Sequence, residues 1–207
     1  MAYDREPRYL HPYIAGRLIK ILEAINTKLP AGCKAKMVSA HRTPNDQFNL
    51  FKQGRLFRNG SWVKVGPVVT HLDGFVKVSR HNNLPCTAFD VGIFENKAYL
   101  GDSPLYKHVK EGTKFGLDWG GNWSRFKDYP HLEMPNNLFF KNSLQKDQGI
   151  LWQYYLQMAG AYTGAMDGIF GTKSGQALKL VTGIDERNMQ AWDILYNKFG
   201  KLDKKYE

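Results

Sequence analysis

The chain has 207 residues, 43% hydrophobic and 14% aromatic, enough for one good core and a small second one. Two cysteines, 23% charged residues and no run of about 18 apolar residues exclude a disulfide scaffold, a disordered chain and a membrane-spanning helix. The formal charge of +10 is lopsided, with 21 basic against 12 acidic residues before Gln145 and 8 against 7 from there on. The first two-thirds therefore attract a polyanion without saying which.

The opening residues, MAYDREPRYLHPY, show no apolar stretch behind a basic one, so no secretory signal peptide is expected. From Pro12 to Leu29 the residues Ile14, Leu18, Ile21, Leu22, Ile25 and Leu29 recur at helical spacing. Pro12 suits the first turn, and Pro30-Ala31-Gly32 stops the helix. A short strand is expected over Lys36 to His41. Thr43-Pro44-Asn45-Asp46 then reads as a helix start, with Thr43 as cap and Asp46 favouring the dipole. That helix carries Phe48 and Phe51 and ends near Gly54.

Three stretches between Ser61 and Phe94 have strand texture: Trp62 to Val65, Phe75 to Val78 running on to His81, and Ala88 to Phe94. In the last, Phe89, Val91 and Ile93 share one parity, while Ala88, Asp90 and Gly92 share the other. A lone carboxylate thus faces away from the core among small neighbours. Residues 115–128 read as loop, and 135–147 as linker. Three helical patterns follow, at about 149–160, 172–181 and 186–199. No repeat or nucleic-acid-reading motif is present, so no nucleic-acid partner is expected.

Two of the six histidines keep unusual company. His81 lies nine residues before Asp90 on the next expected strand, and His131 sits in Asp128-Tyr129-Pro130-His131-Leu132-Glu133. Two imidazoles and a carboxylate suit a catalytic zinc ion, which takes three protein ligands and leaves a position to water. Activating that water needs a carboxylate to take its proton. Asp128 and Glu133 compete for this role. Strand parity puts Glu133 on the face of His131, but Pro130 makes a bend before His131 that could bring Asp128 in.

Ser79-Arg80-His81 with Ala88-Phe89-Asp90 resembles the Ser-x-His…Ala-x-Asp signature of zinc D,D-carboxypeptidases and L-alanyl-D-glutamate endopeptidases, phage endolysins among them. Trp119-Gly120-Gly121-Asn122-Trp123 and the block from Asp128 to Glu133 look like the endopeptidase branch. Ser39 to Thr43, followed by Gln47 and Gly54, is similar to the upstream Ser-x-x-Arg element. Three blocks in order across residues 37–134 are far more specific than any one of them.

The resemblance implies an α+β, hedgehog-like peptidase fold over residues 1–134. It implies Zn²⁺ held by His81, Asp90 and His131, with Asp128 as general base and Arg42 as an electrostatic clamp. Ser79, Glu133, Trp119 and Trp123 are left to supporting or substrate-binding use. The loop from His81 to Asp90 is longer than the family's, and Cys86 within it is expected to be a buried side chain rather than a ligand.

Beyond the linker, Leu156-Gln157…Gly160…Asp167-Gly168-Ile169-Phe170-Gly171 resembles a three-helix peptidoglycan-binding module over residues 148–207. That resemblance implies Asp167, Gly168 and Phe170 as wall contacts. Together the resemblances imply a monomeric phage endolysin that cuts the stem peptide of bacterial peptidoglycan, made in the host cytoplasm and not inserted in a membrane. The alternatives are a D-Ala-D-Ala carboxypeptidase and a non-catalytic wall binder.

Overall fold

The computed structural model describes residues 7–135 and 144–199. The amphipathic stretch after Pro12 forms two helices, α1 (Pro12–Ala15) and α2 (Leu18–Asn26), with the break at Gly16-Arg17. Its periodicity is obeyed nonetheless: Ile14, Leu18, Ile21 and Ile25 are all buried. Strand β1 (Cys33–Ser39) follows, then α3 (Pro44–Lys52), where the Thr43 hydroxyl accepts from the Asp46 backbone N–H at 3.2 Å.

Strands β2 (Arg55–Arg58) and β3 (Ser61–Lys64) make a separate hairpin. The main sheet is antiparallel and mixed in chain order. In it β4 (Ala88–Glu95) pairs with β1 on one side and β7 (His131–Glu133) on the other, and β6 (Asp118–Trp119) pairs with β7. The two-residue strand β5 (Ala98–Tyr99) folds back on the end of β4. Between β5 and β6, Pro104–Phe115 forms a 3₁₀ stretch capped by Ser103, an element not expected from the sequence.

One face of the sheet is dry. Phe89, Val91 and Ile93 of β4 and Leu132 of β7 pack with α1, α2 and Val109 in a single buried cluster. The opposite parity carries Asp90 and, directly across the ladder, His131. Alternation thus does what the sequence implied, putting bulk on one side and a carboxylate on the other.

Two expectations fail. Phe75 to Val78 is no strand, because the Asp73 carboxylate accepts from the backbone N–H groups of Phe75, Val76 and Lys77 at 2.7–3.0 Å and curls the chain into a turn. His81 therefore does not end a strand. It sits in a 3₁₀ turn, Arg80–Asn82, closed by a reciprocal cap between Ser79 and Asn82.

The expected linker lies mostly outside the described residues, although helix α4 (Leu144–Met158) begins inside it. With α5 (Thr172–Thr182) and α6 (Met189–Phe199) it encloses a second core of Trp152, Tyr155, Leu156, Leu178, Trp192 and Leu195. Tyr9, from the N-terminal segment, is buried in that same core.

Candidate metal centre and catalytic site

His81, Asp90 and His131 converge. His81 Nε2 lies 3.2 Å from Asp90 Oδ1, His131 Nδ1 lies 3.1 Å from the same oxygen, and the two ring nitrogens are 3.2 Å apart. Ligand atoms about 2.0–2.1 Å from a tetrahedral zinc ion stand roughly 3.3 Å from one another. The triangle has that size, and its donor set is that of a zinc site. Among the described residues it is the one group of histidines, cysteines and carboxylates close enough to hold a metal ion.

The surroundings orient each donor. His81 Nδ1 is 2.6 Å from the Ala40 carbonyl, which can only accept, so it fixes Nδ1 as the N–H and turns the Nε2 lone pair to the centre. His131 Nε2 is 3.1 Å from Glu133 Oε2, and this carboxylate likewise leaves His131 Nδ1 for the centre. Glu133 in turn sits 3.8 Å from Arg80 Nε. Arg42 holds the outer oxygen of Asp90 through Nη2, while its Nε donates to Ser39 Oγ at 3.1 Å and its Nη1 to Gln47 Oε1 at 3.3 Å. The buried amide of Gln47 donates onward to the Leu72 carbonyl at 3.0 Å.

Electrostatics match this wiring. Burial would raise the Asp90 carboxyl, but His81 and Arg42 hold it well below the usual carboxylate range. Burial lowers His81 below an ordinary histidine. His131 is also buried, yet its hydrogen bonds to Asp90 and Glu133 raise it to about 9. Burial, reinforced by Asp90, pushes Asp128 up to about 6.

Asp128 arrives by way of the glycine loop. Its backbone N–H donates to the Gly120 carbonyl at 3.1 Å, and its own carbonyl accepts from the His131 N–H at 3.2 Å. A side chain on Gly120 would overlap the Asp128 carbonyl and press on His131 Cβ at 3.1 Å. The neighbouring Gly121 packs on the Trp119 ring.

The remaining expected residues divide. Trp123 borders the site, its ring centre 5.0 Å from that of His131 and tilted against it. Trp119 is instead a core residue, 8% exposed, whose Nε1 donates to the Tyr129 carbonyl at 2.8 Å. Ser79 accepts from the His81 backbone N–H at 3.3 Å, so it shapes the turn that carries His81. Cys86 is fully buried and packs in the main core, outside the donor triangle.

In the C-terminal helices, Asp167 and Gly168 both bond the buried Gln153, at 3.0 and 2.9 Å, and Asp167 also accepts from the Ile169 N–H at 2.9 Å. The Phe170 ring lies 6.3 Å from that of Trp152, beneath the Arg187 guanidinium. All three build the turn between α4 and α5. The sequence reading missed Ala40, whose backbone carbonyl orients His81 and leaves no side-chain signal. It also gave no role to Gln47, noting it only as part of the upstream block.

Comparison with known proteins bears on this geometry. A family model described as D-alanyl-D-alanine carboxypeptidase matches residues 76–134, the span that holds His81, Asp90, Asp128, His131 and Glu133. The peptidoglycan L-alanyl-D-glutamate endopeptidase CwlK of Bacillus subtilis is 32% identical over 140 residues, 63% of this chain and 77% of the relative. The chain belongs to the M15 family of peptidases, with CwlK as a relative. The L-Ala D-Glu endopeptidase ChiX of Serratia marcescens, a solved structure, aligns with this peptidase at a TM-score of 0.42 and 18% identity, covering 65% of this chain and 86% of that one.

Proposed function

We propose that this peptidase hydrolyses the L-alanyl-D-glutamate amide bond in the stem peptide of bacterial peptidoglycan, with a zinc ion held by His81, Asp90 and His131. The observation that carries the reading is the triangle of inward-facing donors, 3.1–3.2 Å on each edge. The bond assignment draws on the kinship with CwlK, whose name specifies that cleavage. When bound, the zinc ion supplies Lewis acidity, polarising a carbonyl and acidifying a water.

The protein does the rest. Ala40 and Glu133 hold the two imidazoles in the tautomers that ligation needs. Arg42 fixes the Asp90 carboxylate, and its positive charge favours negative charge developing on the substrate. Asp128 takes the proton of the attacking water and passes it to the leaving amine. Its raised pKa suits a group that must both accept and release that proton near neutral pH.

We assign the C-terminal helices, from α4 onward, to wall binding, and residues 1–134 to the peptidase domain. A cleft of about 320 Å³ between α5 and the 161–164 loop, lined by Tyr162, Gly164, Lys173 and Gln176 among others, offers a concave surface for a wall fragment. In this reading the protein is a monomeric phage endolysin, whose positive charge favours approach to an anionic wall.

Mass spectrometry of digested sacculi tests the assignment through the termini that appear. New N-terminal D-glutamate residues are expected, and they vanish when the metal is chelated. Release of free D-alanine alone would make the protein a carboxypeptidase, the activity that names the matching family model. Intact sacculi at full metal loading would leave only wall binding.

A further inference from the structure

The β2–β3 hairpin and the turn that follows it carry a surface that catalysis does not account for. Among the described residues, nine of the seventeen exposed large hydrophobic side chains lie between Leu56 and Val78. Phe57, Phe75 and Val76 are 60, 58 and 87% exposed. Monomeric proteins scatter exposed apolar residues singly; a concentration like this marks something that binds.

Charge narrows the partner. Residues 52–78 hold five cations (Lys52, Arg55, Arg58, Lys64 and Lys77) against a single carboxylate, Asp73. That carboxylate is turned inward on the backbone, where it stiffens the turn that presents Phe75 and Val76. The inner side of the lobe is anchored. Trp62 packs edge-on against Phe48 of α3, and the Arg55 guanidinium donates to the Thr70 carbonyl at 2.9 Å. The outer apolar groups are therefore displayed by a braced platform.

A second copy of the chain would bring the same five cations face to face, which opposes association. A glycan strand offers polar groups and no aliphatic interior to receive valines and leucines. An anionic bilayer offers both, phosphate charge at its surface and hydrocarbon just beneath. We propose that the 52–78 lobe docks the peptidase peripherally on an anionic membrane surface, with Phe75 and Val76 entering the headgroup boundary and Arg58, Lys64 and Lys77 meeting lipid phosphates.

The test is flotation of the full-length protein with phosphatidylcholine vesicles, with and without phosphatidylglycerol. Binding is expected only where the anionic lipid is present, and it falls as salt is raised. Val76→Asp abolishes it, and the pair Arg58→Gln with Lys64→Gln weakens it about thirtyfold. All these positions are exposed, and hydrolysis of lipid-free sacculi is expected to stay unchanged.

Failure to bind anionic vesicles, or binding that both variants keep, overturns the proposal. Self-association in sedimentation that Val76→Asp removes would assign the surface to a second copy instead. Slower sacculus hydrolysis in Val76→Asp, with vesicle binding intact, would make the patch a substrate wall. Vesicle binding and self-association are both read without the metal, so the docking proposal and the proposed hydrolase activity stand or fall separately.

Discussion

Asp128 and Glu133 are both carboxylates beside His131, and their surroundings assign them different work. Glu133 is tied to the His131 ring at 3.1 Å, and that hydrogen bond, with nearby Arg80, keeps it below the ordinary glutamate range. A carboxylate so engaged orients an imidazole and is poorly placed to collect a proton. Asp128 is raised to about 6 by burial and by Asp90. Asp128→Asn should therefore retain zinc and lose about 10²- to 10⁴-fold in turnover, whereas His131→Ala loses both. A base must be ionised, so activity falls as pH drops through the Asp128 pKa. The acid limb is expected at or below about 6, because a bound cation favours the carboxylate further. Metal content and a pH profile of kcat/KM check this; lytic rate surviving in Asp128→Asn would hand the role to Glu133.

At the level of elements, the site is a cross-strand pair completed by two loops. The pair is Asp90 opposite His131, one on β4 and the other on β7. His81 comes from a 3₁₀ turn, and Asp128 from the approach to β7, tucked against Gly120. Gly120→Ala should act on Asp128 and His131 together, since the added methyl overlaps the backbone of one and crowds the other. A displacement of about 1 Å costs roughly 10²-fold in rate. The expected outcome is such a loss in sacculus hydrolysis with the far-ultraviolet circular dichroism retained, and full activity in Gly120→Ala would show that the loop can move aside. The β4 half of this arrangement was legible, because Phe89, Val91 and Ile93 alternate with Asp90 and period two admits one reading. The His81 half was not. Phe75 to Val78 has strand-forming residues, but one carboxylate at Asp73 outbids that propensity through three backbone hydrogen bonds, an effect of local geometry. The 12–29 helix breaks at Gly16 for a similar reason: apolar spacing reports which face is buried and is blind to a one-residue interruption.

Across the whole molecule, the C-terminal helices are joined to the peptidase core at a telling place. Trp152 of α4 donates from its indole N–H to the Leu84 carbonyl at 2.8 Å, inside the connection between the proposed ligands His81 and Asp90. Trp192 of α6 donates to the Arg8 carbonyl at 3.1 Å, and the Tyr9 hydroxyl donates to Asp193 at 2.9 Å. The same N-terminal segment pairs with that connection, Cys86 N–H to the Tyr9 carbonyl at 2.6 Å and His11 N–H to the Cys86 carbonyl at 2.7 Å. The 82–87 loop is thus held from two sides, by Trp152 at Leu84 and by the N-terminal segment at Cys86. Loop length itself costs little closure entropy, so holding the loop is the part that matters. Trp152→Phe keeps the ring and removes one hydrogen bond, an effect of about 1 kcal/mol. If the helices steady the ligand loop, zinc affinity in that variant falls about fivefold by chelator competition, and amide exchange across residues 82–87 quickens. Trp152→Ala, which also empties the second core, should exaggerate both changes and lower the melting temperature. Zinc affinity and 82–87 exchange unchanged in Trp152→Phe would mean the helices ride on the catalytic core without steadying it.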